Sequence, residues 1–199
     1  MKRGIFGLCL GLAIASTAGA EAIVDPDWPC VQRKQPHLSV GQVWVGPLPD
    51  AATEVLAKRA DISALAQALQ QRRLPMPDAE TQIARFAADA NAQELTALFL
   101  AAFNEIDRYR TQIIGGIARY ARKQTELSAQ IEERRAEMST LAAEANPDFD
   151  KIDEAEAKLD WDTRIFTDRQ QSLSYVCETP VLLEQRAFAL AQAIAAHLP

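Results

Sequence analysis

Apolar residues recur at helical spacing farther after Asn91 than anywhere else in the chain. Leu95, Leu98 and Phe99, Ala102, Ile106, Tyr109, Ile113, Ile117 and Tyr120 mark one face, and Leu127, Ile131, Met138 and Leu141 continue it. No proline interrupts residues 92–146, a stretch of roughly 80 Å at 1.5 Å per residue. From Ile113 onward the steps alternate four and three, the spacing of a heptad seam. Asn91 followed by Glu94 reads as a capping box at the start. Asn146-Pro147-Asp148 ends the helix and turns the chain. Beyond Phe149, residues Ile152, Leu159, Phe166 and Leu173 step by sevens, while the second seam position is polar at Glu156, Thr163 and Gln170 before reaching Cys177. The two segments predict a long antiparallel helical hairpin over about 92–178. With the turn centred near Asn146, Leu127 faces Phe166, Ile131 faces the Leu159–Thr163 turn, Arg134 approaches Glu156, and Gly115-Gly116 lie beside Cys177.

Shorter elements flank the hairpin. Residues 50–73 read as one helix, capped by Asp50, with Val55, Ile62, Leu65 and Leu69 on its apolar face and Arg72-Arg73 at the end of its dipole. Leu74-Pro75-Met76-Pro77 breaks it. Asp78 then caps a helix to about Ala90 that buries Ile83, Phe86 and Ala87. Thr179-Pro180 marks a break, because proline suits the first position of a new helix. A last amphipathic helix follows to Leu198, with Leu183, Ala187, Leu190 and Ile194 in register. In residues 21–49, Pro26, Pro29, Pro36, Pro47 and Pro49 forbid a long helix. Trp28, Trp44, Val43 and Val45 make this segment a strap packed on the body rather than a free tail. The expected fold is all-α: a coiled-coil-like hairpin, shorter helices at its base and an irregular N-terminal strap, with one helical domain over 50–199. The turn end, near Glu137 to Asp153, projects.

The first twenty residues carry a different message. Met1-Lys2-Arg3 is basic, Ile5 to Ala15 is apolar, and Ala18-Gly19-Ala20 offers small residues for cleavage. That is the pattern of a secretory signal peptide, so the expected mature chain begins at Glu21 in the periplasm or outside the cell. Cys9 leaves with the leader. Cys30 and Cys177 remain, and an oxidising compartment favours a bond between them. The chain-entropy model gives such a long closed loop roughly 5 kcal/mol. Gly115 and Gly116 cost about 1 kcal/mol each inside a helix. Either a close approach of the strap explains them, or a kink does.

The net charge of −6 becomes more acidic once Lys2 and Arg3 are removed. That disfavours nucleic acid as a partner. No further apolar run approaches the ~20 residues of a membrane span. His37 and His197 belong to no metal-ligand spacing, no C-x-x-C-H motif is present for covalent haem, and neither G-x-S-x-G nor a Gly-rich phosphate loop occurs. Asp153, Glu154 and Glu156 read as a solvated face, with Glu154 and Lys158 an i,i+4 pair. No catalytic, cofactor or metal residue is assigned, and the chain is not read as an enzyme. The candidate binding surface is Trp28, Trp44, Trp161 and Tyr175. The expected function is that of an exported, non-catalytic accessory protein (adaptor, chaperone-like holder or assembly factor) whose partner is another envelope protein. Self-association through the hairpin is compatible with that reading. The alternative is a periplasmic helical bundle that binds a small molecule in a pocket lined by Trp28, Trp44 and Tyr175. An exposed apolar stripe on the hairpin would favour the first.

Cleavage is expected between Ala20 and Glu21. Intact mass of the exported protein should match a chain starting at Glu21, and a product retaining Lys2 and Arg3 would remove the argument for export.

Overall fold

The computed structural model describes Asp25 and residues 27–199; the leader expected at 1–20 lies outside them. Among the described residues the chain is all-helical. α1 (Val40–Val43), α2 (Ala51–Leu56), α3 (Ala60–Leu69) and α4 (Met76–Ala87) precede two long helices, α5 (Ala92–Ala142) and α6 (Phe149–Ala195). The long helices pack against each other as the predicted hairpin, and the short ones gather at its base. Asn91 caps α5 as expected: its side chain accepts from the backbone N–H groups of Gln93 and Glu94, and Glu94 reaches back to the Asn91 N–H.

The main core lies at the base. Ile62, Leu69, Ile83, Leu95, Leu98, Phe99, Ile106, Leu183, Leu190 and Ile194 are all fully buried there. Toward the tip only a satellite cluster remains, built on Leu127, Ile131 and Leu159 with Met138, Ile165 and Phe166 beside them. Leu127 and Phe166 thus share a cluster as the register requires. Arg134, however, pairs with Asp162 at 2.8 Å and not with Glu156, which is exposed. Asp162 is half-buried between the helices, whereas Glu156 points to water.

Three further sequence expectations change. The single helix over 50–73 is two helices. Asp50 does cap the first, accepting from Thr53 N–H at 2.8 Å and Thr53 Oγ1 at 2.6 Å. The break comes at Arg59, whose backbone is extended. Its guanidinium holds Asp61 at 2.7 Å and Glu94 at the head of α5. Arg59 holds the Asp61 carboxyl below its ordinary range; for Glu94 the Asn91 N–H does most of this and Arg59 adds to it. Both carboxyls are stabilising as anions, a contribution present at neutral pH and lost as pH falls through their lowered pKa values. The break also turns Val55 outward, to 70 % exposure, and puts Thr53 in its place. Next, α4 begins at Met76 on an extended Pro75, so Asp78 sits inside the first turn, where the dipole favours it, and is not the cap.

The largest change is in α6, which runs unbroken through Thr179-Pro180. Proline removes one backbone hydrogen bond and crowds the preceding turn, at about 3 kcal/mol. The burial of Leu183, Leu190 and Ile194 beyond it outweighs that, at roughly 1.5–3 kcal/mol per side chain. Pro180 is itself buried, seven residues on from Leu173.

The strap closes the base with Trp44, which stacks on Phe99 at 4.1 Å and 9° and donates from Nε1 to the Pro47 carbonyl at 2.8 Å. Gly46 lies directly against this ring. A β-carbon there would fall 2.6 Å from Trp44 Cε2 and 2.7 Å from Leu198 Cδ1. Gly46→Ala should therefore destabilise by about 1–3 kcal/mol through overpacking. Gly41→Ala, with nothing within 4 Å of the new carbon, should be near neutral. Thermal melts of the two variants side by side test the difference.

Candidate binding surface

The strap is built from small local devices. Trp28 Nε1 donates to the Gln32 carbonyl at 2.6 Å and Lys34 pairs with Asp25 at 2.7 Å, so residues 25–34 fold back on themselves. The segment then runs antiparallel to α5. Asp27 meets Arg122 at 2.5 Å, the Gln35 carbonyl accepts from Arg110, and the Pro36 carbonyl accepts from Thr111 Oγ1 at 3.1 Å. Asp107 takes the Leu38 N–H at 2.8 Å and lies 3.0 Å from His37 Nδ1. On the other side the Cys30–Cys177 disulfide joins the strap to α6, and Gln32 donates its amide to the Cys177 carbonyl. The predicted bridge is present, and it sits at the waist where the hairpin enters the base.

Gly115 and Gly116 are not there to admit the strap. An added β-carbon would meet only the Arg119 guanidinium, at 3.5 and 3.9 Å, so the close-approach explanation is corrected.

Two buried guanidiniums complete the frame. Arg110 is 4 % exposed; besides Gln35 it has Glu184 at 3.8 Å, and its Nε has no partner. Burial pushes its pKa down, while Glu184 and Asp107 oppose the shift. Arginine stays charged throughout. Arg186 donates from Nε to the Leu69 carbonyl at 2.7 Å, at the C-terminal end of the α3 dipole, and burial likewise lowers its pKa.

The four candidate surface residues separate. Trp44 is in the core, 5 % exposed, and is not a surface anchor. Trp28 is half-buried and spends its indole N–H within the strap. Trp161 and Tyr175 are open to solvent at 64 % and 76 %. With Trp44 stacked on Phe99 and Tyr175 outward, the three aromatics of the alternative reading do not line one pocket. The structure adds residues that sequence reasoning missed. Val176, Val181, Leu182 and Phe188 are also exposed on the base half of α6. Val181 and Phe188 face Leu38 and Val43 of the strap across an open groove of about 580 Å³, edged by Glu184 and Gln185. Their signal was the excess of large apolar residues over what one buried face of α6 can hold.

Among the described residues no three histidine, cysteine, aspartate or glutamate side chains converge on a point, and no helix is long and apolar enough to cross a membrane.

Replacing both Cys30 and Cys177 by serine should cost about 2–5 kcal/mol and lower the melting temperature by many degrees while leaving the helical content intact. Thiol titration of the unreduced native protein should find no free sulfhydryl, and circular dichroism of the double variant checks the rest.

No protein-family model, curated protein or solved structure matches this chain.

Proposed function

We propose that this chain is an exported, non-catalytic binding protein of the bacterial envelope that presents the base half of α6 to another envelope protein. The observation that carries this reading is the exposure of Val181 and Phe188 on α6 along the groove they share with Leu38 and Val43, on a helix whose inner face is already satisfied by the core. Apolar surface gathered in one place, beside a groove with polar edges, is the ordinary mark of a contact site. Export is supported by the leader-like first twenty residues and by the Cys30–Cys177 bond, which suits an oxidising compartment. The adaptor reading is favoured over a small-molecule pocket because the aromatic residues that would line such a pocket lie apart.

A photo-crosslinking residue placed at Val181 or Phe188 in cells tests the reading. The expected result is an adduct of discrete mass in the periplasmic fraction, with none from Lys123, an exposed position on α5. Retention in the cytoplasm would overturn the export half. Absence of any adduct, with a small molecule co-purifying in native mass spectrometry, would favour the alternative.

A further inference from the structure

One stripe of α6 lies outside both the hairpin seam and the groove. Trp161, Asp168, Tyr175 and Leu182 follow one another at intervals of seven. Because α6 packs along α5 with a seven-residue repeat, residues seven apart keep to one line on its outer face too. Yet Trp161, Tyr175 and Leu182 are 64 %, 76 % and 44 % exposed, and Asp168 is exposed as well. Arg164, Gln171 and Glu178 run alongside, three residues on from the stripe, and all are exposed. Neither Arg164, Asp168 nor Glu178 forms an ion pair among the described residues. The stripe spans about 30 Å at 1.5 Å per residue.

We propose that the occupant of this stripe is a second copy of the same chain, lying antiparallel across a twofold axis beside Gln171 and Ser172. The reason is that the stripe is complementary to itself when reversed. Trp161 then meets Leu182 of the second copy, apolar on apolar. Asp168 meets Tyr175, whose phenol hydroxyl donates to the carboxylate. Arg164 falls opposite Thr179, one residue from Glu178 and within reach of its carboxylate. Gln171 and Ser172, polar and uncharged, occupy the axis, where the two helices approach most closely. Each pairing occurs twice, as a twofold contact requires. A parallel pair in register would instead set Arg164 on Arg164, Asp168 on Asp168 and Glu178 on Glu178, three like-charge contacts. The pairing is separate from the groove between the strap and α6, and separate from the question of export.

Sedimentation equilibrium of the purified protein tests the proposal. A dimer is expected at micromolar concentration, weakening as salt is raised. Arg164→Glu should weaken dimerisation at least tenfold, as should Glu178→Arg. The double swap should restore it, because the reversed charges again face each other. Trp161→Ser should also favour the monomer. All of these positions are exposed, so circular dichroism should show unchanged folding. A monomer at every concentration would overturn the proposal, as would a dimer indifferent to the three single substitutions or a double swap that fails to recover. Any of those results leaves the crosslinks from Val181 and Phe188 as an independent measure of the envelope partner.

Discussion

α6 has to satisfy two cores with one face. Its first half packs on the outer part of α5, and its second half fills the base beside α3 and α4. A single seven-residue phase makes this workable: Ile152, Leu159, Phe166, Leu173, Pro180, Ala187 and Ile194. Each helical residue turns the chain by about 100°. A slip of one residue anywhere along the helix would carry Leu183, Leu190 and Ile194 away from the core. The phase must therefore hold through Pro180, and it does so at the expense of a backbone hydrogen bond. The hairpin and base are in consequence continuous, with no hinge of ordinary composition between them.

How much of this was legible follows from the range of each cause. The long helices announce themselves through repeated spacing and through the Asn91–Glu94 box, both local signals. At Pro180 a local rule and a long-range phase disagreed. The local rule predicts a break, although the sevens continue to Ala187 and Ile194 and favour continuity. The break at Arg59 had no such trace. Ala57-Lys58-Arg59 contains neither glycine nor proline, and what fixes it is a pairing with Glu94, 35 residues away. Turn position alone sets the expected register near the tip, and a seam of mixed charges tolerates several registers, so Arg134 finds Asp162 rather than Glu156. For the candidate surface the difficulty was the strap. Irregular backbone has no period, so nothing in the sequence says that Trp44 faces inward while Trp161, on a periodic helix, faces out.

The two buried arginines show how irregular segments are tied to a helical body. A helix spends its carbonyls on itself, except in its last turn, and an irregular segment offers carbonyls with no partner. Arg110 reaches such a carbonyl in the strap and Arg186 one at the end of α3. A guanidinium has enough donors to satisfy main-chain acceptors while its stem fills apolar space. Both joints therefore fasten main chain to side chain, and they depend little on which residue carries the accepted carbonyl.

The disulfide also sets an order of events. Cys30 is synthesised 147 residues ahead of Cys177, and both long helices other than the last stretch of α6 lie inside the loop it closes. For most of the chain's emergence Cys30 has no correct partner. Among the described residues Cys177 is its one possible partner, so mispairing between these two positions can only join two chains. The bond can close correctly only after the C-terminal quarter has arrived and α6 has carried Cys177 to the waist. It thus records that the hairpin has already formed, and a chain truncated before α6 would leave Cys30 open to capture by a neighbour.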